Sequence, residues 1–214
     1  MKSGSAPFAK TLIRPWRLIG ALCWAFFLSS ASHAQILVVG DSIGAGYGVP
    51  EKANWVSLLD AELNRHKVIN ASISGDTSSG AKARLPALLD HFAPELVIIE
   101  IGGNDGLRGQ PVALLKQNLN AMIDMAEAHG AEVLLLGMQI PPNYGRAYTE
   151  AFHAVYHQVA RERQVLLLPF LLDGIALNPR LMQADRIHPN EQAQPKILQN
   201  VLPLVRQSIK NRSD

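Results

Sequence analysis

The chain has 214 residues, 48% of them hydrophobic, with 20 Lys and Arg against 18 Asp and Glu and a single cysteine. The formal charge of +2 is no argument for a nucleic-acid partner: the first 34 residues hold four basic side chains and no acidic one, and without them 16 basic face 18 acidic, or −2. A lone cysteine excludes a disulfide framework, so the remaining residues hold together by core burial, which one domain of about 180 residues achieves.

The elements follow in chain order. Lys2, Lys10, Arg14 and Arg17 precede an apolar run from Leu18 to Leu28, and Ser32-His33-Ala34 offers small residues where a signal peptidase reads. The expected division is a signal peptide over 1–34 and one domain over 35–214, exported to the periplasm or secreted after cleavage between Ala34 and Gln35. Eleven apolar residues are too few to span about 30 Å of hydrocarbon, so no stable membrane anchor is expected. Cys23 follows the bulky Leu22 inside that run, which argues against a lipid-modified cysteine.

From Gln35 onward, short apolar runs alternate with helix-like segments. "QILVVG" is followed by "NWVSLLDAELNRH", "VINAS" by "AKARLPALLDHF", and "ELVIIEIGG" by "PVALLKQNLNAMIDMAEAHG". "AEVLLLG" then precedes "YTEAFHAVYHQVARER", and "VLLLP" precedes a loop and "NEQAQPKILQNVLPLVRQSI". Near-continuous apolar runs read as strands buried on both faces, and their alternation with helices predicts an α/β, three-layer sandwich around a parallel sheet. Ligands of such sheets bind beyond the carboxyl ends of the strands. The segments to inspect are therefore "GDSIGAGYG", "ASISGDTSSG", "GGNDGLRGQP", "MQIPPNYGRAY" and "MQADRIHPN".

The first of these loops has three readings. Gly40, Gly44 and Gly46 match the phosphate-binding turn of a Rossmann-type nucleotide-binding dehydrogenase. That chemistry needs a Tyr-x-x-x-Lys pair, yet Tyr47, Tyr144, Tyr148 and Tyr156 are followed four places on by Glu51, Tyr148, Phe152 and Ala160. Gly40-Asp41-Ser42-Ile43-Gly44 also satisfies the nucleophile elbow of α/β-hydrolases. In that fold several strands precede the serine, whereas Ser42 follows the first strand here, and no His-Gly-Gly-Gly run supplies an oxyanion donor.

The third reading collects the other loops. "GDSI", Gly75 of "SISGDTS", "GGND" with Asn104, and "DRIH" with Asp185 and His188 stand in the order of the four blocks of the SGNH, or GDSL, hydrolases, which the chain resembles from Gln35 on. "NASISGDTS", "RLPALL", "GGNDGLRG", "PNYGR" and "IHPN" are similar to its bacterial multifunctional esterase group, the thioesterase I, protease I or lysophospholipase L1 enzymes. The resemblance implies a flavodoxin-like fold with a five-stranded parallel sheet and a serine esterase acting on acyl esters, thioesters and lysophospholipids. It assigns a triad of Ser42, His188 and Asp185, and an oxyanion hole made by the backbone N–H groups of Ser42 and Gly75 and the Asn104 amide. Residue types agree: Ser42 sits where a strand breaks into glycines, His188 lies three residues after Asp185 and before Pro189, and an Asn amide donates without an ionisable charge.

Ile43 stands where the family name implies leucine, and Arg186 is larger and more charged than the small residue expected between acid and base. Asp41 and Asp105 read as acceptors for loop N–H groups. His153 and His157 share a helix face, but a zincin needs Glu where Ala154 stands, so no metal and no cofactor is expected. Expected partners are small acyl substrates alone, with no nucleic acid, on a monomer. The chain between strands leaves no room for an inserted lid, and the acyl group is expected in a shallow groove walled by "GLRGQP" and "MQIPPNYGRAY". A carbohydrate O-deacetylase uses the same catalytic set, and a non-catalytic binding module is the reading from another class. Covalent labelling of the serine separates enzyme from binder.

Overall fold

The structure is a computed structural model that describes Met1 and residues 34–213. Residues 2–33, which carry most of the expected leader and Cys23, lie outside the described residues. Five strands, β1 (Ala34–Gly40), β2 (His66–Asn70), β3 (Leu96–Glu100), β4 (Glu132–Leu136) and β5 (Leu166–Leu168), form one sheet in the order β2-β1-β3-β4-β5. Every pairing is parallel. Among the described residues seven α-helices accompany them: α1 (Ser42–Ala45), α2 (Trp55–Glu62), α3 (Ser78–Phe92), α4 (Gly103–Leu107), α5 (Val112–Ala128), α6 (Arg146–Arg163) and α7 (Gln194–Ser213).

Burial explains the strand sequences. Ile36 to Val39 of β1 and Leu96 to Glu100 of β3 are buried throughout, because both strands have neighbours on each side and helices on each face. The outer strands differ from the expectation of two-sided burial: in β2 only Val68 is buried, and β5 is half-buried along its length. Each lies at an edge of the sheet. α2 packs on α7, while α3 packs on α5 and α5 on α6, giving the helical layers. The α6 stripe Phe152, Val155, Tyr156, Val159 and Ala160 is the buried face of an amphipathic helix.

The short helices α1 and α4 lie inside segments that read as Gly-rich loops. In α1 the Asp41 side chain accepts the Ile43 N–H at 3.2 Å and so caps a single helical turn. In α4 the preceding Gly102, at φ +119, swings the chain from strand into helix. Both start where β1 and β3 end. Because β2 lies on the far side of β1, this is the point at which strand order reverses, the crevice in which open α/β sheets bind ligands.

One residue past β4, Gly137 donates its N–H to the Leu168 carbonyl at 2.8 Å and accepts the Leu171 N–H at 2.9 Å. A Cβ at Gly137 would sit 2.2 Å from the Pro169 carbonyl oxygen, a backbone atom that cannot swing aside. Gly137→Ala should therefore lower stability by about 1–3 kcal/mol as overpacking pries β4 from the segment after β5. Urea unfolding measures it; an unchanged midpoint would show that the 169–171 backbone yields freely.

Candidate active site

Ser42 is the first residue of α1, directly beyond β1. His188 and Asp185 come from the loop between β5 and α7, and the fold brings that loop over the β1 end across 146 residues of chain. His188 Nδ1 lies 2.7 Å from Asp185 Oδ2, and His188 Nε2 lies 2.9 Å from Ser42 Oγ. Asp185 Oδ1 accepts the N–H groups of Ile187 at 2.9 Å and His188 at 3.0 Å, which fixes the carboxylate within its own loop. A carboxylate only accepts, so Nδ1 carries the imidazole proton and the Nε2 lone pair faces the serine hydroxyl. The Tyr47 ring lies over the imidazole with centroids 4.6 Å apart.

Arg186 sits within this loop at φ +58, the left-handed region where a residue with a Cβ costs roughly 1–2 kcal/mol. Hence the expectation of a small residue there. Its N–H donates to the Gln183 carbonyl at 3.0 Å, closing the turn that sets Asp185 beside His188.

Gly75 and Asn104 stand on the loops after β2 and β3. Among the described residues the Gly75 N–H has no acceptor, while its carbonyl accepts from Arg108 Nη2 at 2.9 Å. Arg108 in turn donates its backbone N–H to the Asn104 carbonyl at 3.1 Å. The Asn104 amide reaches Asp41 Oδ2 at 3.4 Å, beside the serine. Asp105 accepts from the Ser78 N–H at 2.8 Å and the Ser78 hydroxyl at 2.5 Å, tying the start of α3 to α4. Thus Ser42, Gly75 and Asn104 hang on one hydrogen-bonded frame, in which Asp41 and Asp105 are acceptors.

Three residues of this frame escape a reading by motif. Glu100, the last residue of β3, is completely buried, and its Oε2 accepts the Gly44 N–H at 2.8 Å. The one signal was an acid ending an otherwise apolar strand. Asn54 and Asn70 both donate to the Gly44 carbonyl, at 2.9 and 2.8 Å. Asn70 stands in sequence at the end of the "VINAS" run and the head of "NASISGDTS", with nothing to mark its side chain.

A shallow recess beside Ser42 is lined by Ile43, Tyr47, Val49, His188 and Pro189 among others. The expected groove walls meet each other: Tyr144 Oη donates to the Leu107 carbonyl at 2.9 Å and Tyr148 Oη to the Gln110 carbonyl at 2.7 Å. The His153 and His157 rings meet edge to face with centroids 5.0 Å apart, and no cluster of three metal-ligating side chains exists among the described residues.

The profile of the GDSL-like Lipase/Acylhydrolase family matches residues 38–194. Esterase TesA of Pseudomonas aeruginosa is 50% identical over 198 residues, covering 91% of this chain and 98% of that protein. Thioesterase 1/protease 1/lysophospholipase L1 of Escherichia coli K12 is 47% identical over 169 residues, covering 78% of this chain and 81% of that protein. Among solved structures, the psychrotrophic esterase EstA from Pseudoalteromonas sp., inhibited by monoethylphosphonate, is similar with a TM-score of 0.78 and 40% identity, over 82% of this chain and 98% of that one.

The carboxyls around the serine titrate in opposite directions. Burial pushes Asp41, 2% exposed, from 3.8 up to about 6, against the pull of the Ile43 N–H, the His188 charge and the Asn104 amide. For Asp185 burial also raises, but hydrogen bonds from the His188 ring and the N–H groups of His188 and Ile187 outweigh it and bring the carboxyl from 3.8 to about 2. The stability Asp185 contributes is present above 3.8 and lost as pH falls through about 2. Asp41 has the reverse sign: its contribution is full below 3.8 and lost as pH rises through about 6. Asp41→Asn carries no charge at any pH, so its stability relative to the wild type should rise between about pH 4 and 6. Urea midpoints of both proteins across that window test this, and a constant difference would contradict it.

Proposed function

The chain belongs to the GDSL-like lipase/acylhydrolase family, whose profile it matches over residues 38–194, and is a serine esterase; we propose that it works through an acyl-enzyme on Ser42. The observation that carries this reading is the line of hydrogen bonds from Ser42 Oγ to His188 Nε2 at 2.9 Å and from His188 Nδ1 to Asp185 at 2.7 Å. His188 takes the hydroxyl proton as Oγ attacks the acyl carbonyl, then gives it to the departing alkoxide or thiolate. Water repeats the sequence and frees the acid. The oxyanion takes hydrogen bonds from the N–H groups of Ser42 and Gly75 and from the Asn104 amide, where each donor meets charge present only in the transition state. These steps move one proton and one acyl group and use no cofactor.

The substrates are acyl esters and thioesters, lysophospholipids included. The names of the Pseudomonas and Escherichia relatives support that class, and phosphonate inhibition of the Pseudoalteromonas relative supports a serine nucleophile. All proposed groups come from one chain, which supports action as a monomer. The basic, apolar, small-residue order of positions 1–34 supports export to the periplasm. Among the described residues no helix is long and apolar enough to cross a membrane.

A fluorophosphonate probe should label Ser42, as peptide mass spectrometry reads. Ser42→Ala and His188→Ala should each lower p-nitrophenyl ester hydrolysis by about 10⁴-fold or more, and the double variant should be no worse, because the two act in one step. Hydrolysis near the wild-type rate in Ser42→Ala would overturn the assignment. On a series of acyl esters, kcat/KM should climb by up to about 0.8 kcal/mol, roughly fourfold, per buried methylene and then level. No jump is expected at the critical micelle concentration. A steady preference for acetyl over every longer chain would indicate the deacetylase instead.

A further inference from the structure

Beneath the nucleophile turn lies a carboxyl that the reaction above does not use. Glu100 ends β3, the strand beside β1, and is 0% exposed. Its Oε2 accepts two N–H groups that flank Ser42, from Asp41 at 3.1 Å and from Gly44 at 2.8 Å. Its own backbone carbonyl takes the Asp41 N–H as well, at 3.1 Å. The turn rests directly on this side chain: a Cβ at Gly40 would lie 2.2 Å from Glu100 Oε2, and one at Gly44 would lie 2.6 Å from it.

We propose that Glu100 is the positioning residue of the nucleophile turn, its Oε2 gripping the N–H groups of Asp41 and Gly44 and so holding Ser42 Oγ in line with His188 Nε2. This rests on the reading of Ser42 as nucleophile and extends it to the group that aims it. A carboxyl is an unusual choice for a buried position with no cationic side chain among its hydrogen-bond partners. Arg84, whose guanidinium reaches the Gly40 carbonyl, is engaged with Asp76 at 2.9 Å and with the Ala71 carbonyl. Burial, and then the charge of Asp41, hold Glu100 well above the usual carboxylate range, which favours the neutral acid under the turn. A neutral acid accepts both N–H groups through its carbonyl oxygen without placing a second full charge against Asp41. Glu100 Oε1 and the nearby Ser72 hydroxyl are both buried with no protein partner among the described residues. Among the described residues the partners of the carboxyl are thus all in the turn, the N–H groups of Asp41 and Gly44 and the Asp41 side chain.

The role has a signature that a mere packing residue lacks. A side-chain amide offers the same carbonyl oxygen, so Glu100→Gln should keep the grip, whereas Glu100→Ala releases it and Glu100→Asp falls short by a methylene. Misplacement of a reacting group by about 1 Å costs about 10²-fold. In p-nitrophenyl butyrate hydrolysis, Glu100→Ala and Glu100→Asp should lose about 10²-fold in kcat with KM held within about threefold, and the rate of Ser42 phosphonylation should fall in step. Glu100→Gln should recover kcat to within about threefold of wild type. Circular dichroism shows which variants are folded, and the Asp variant serves if the Ala variant is not. Wild-type kcat in a folded Glu100→Ala or Glu100→Asp, or a Gln variant as impaired as these, would overturn the proposal. A Ser42→Ala control separates the two readings. Activity surviving there removes the nucleophile assignment and this proposal with it; an inactive Ser42→Ala beside a fully active Glu100→Ala removes the positioning role alone.

Discussion

A helix of four residues cannot satisfy its own peptide groups, and α1 is such a helix with its Gly44 buried. Each buried N–H or carbonyl left without a partner costs about 1–3 kcal/mol, so the turn exists only where other parts of the chain supply them. The Gly44 carbonyl receives the amides of Asn54 and Asn70, the Ile43 carbonyl receives the Trp55 indole N–H at 3.2 Å, and the Gly44 N–H goes to Glu100. Those partners stand at the start of α2, the end of β2 and the end of β3. The strand order β2-β1-β3 is what brings two of them to either side of β1. The sheet topology and the exposure of one serine hydroxyl are therefore a single constraint seen at two scales.

Three acids close to that hydroxyl illustrate how surroundings divide one functional group into different instruments. Asp185 is the most exposed of them, with its side chain 38% accessible, and collects two N–H groups and an imidazole. It stays charged and orients a base. Asp41 is buried and holds its donors at the longer distances of 3.2 to 3.5 Å, and Glu100 is buried beside Asp41, so both resist ionisation and serve as hydrogen-bond anchors. Asp185 comes from the loop after β5, whereas Asp41 stands directly past β1 and Glu100 ends β3. Distance from water, more than residue type, sorts them.

Much of this architecture was legible in the residues alone. The apolar runs of β1, β3 and β4 lack alternation because helices cover both faces, and four short blocks in a fixed order hold the residues proposed as triad and oxyanion donors. The limits of that reading are equally physical. Edge strands β2 and β5 share the apolar letters of the centre but not its burial, since only topology tells an edge from a middle. The helical turns α1 and α4 hide in glycines, whose preferences are too weak to announce a helix. Asn54, Asn70 and Glu100 matter through partners 10, 26 and 56 residues away, and no local period records such pairings. Arg186 was visible as an oddity, and its φ of +58 supplies the reason.

The supports of α1 also bear on when the protein becomes an enzyme. The proposed base, 146 residues from Ser42, and struts from the start of α2 and the ends of β2 and β3 must all arrive before one hydroxyl is aimed. Closing loops of such length has to be complete before the contacts repay it. A growing or half-collapsed chain thus carries the reactive residues in a harmless state, scattered and solvated, and turnover begins only with the finished domain. Catalysis in this molecule is a property of the whole tertiary structure, and a simple colour change from an ester dye reports that the last segment has docked.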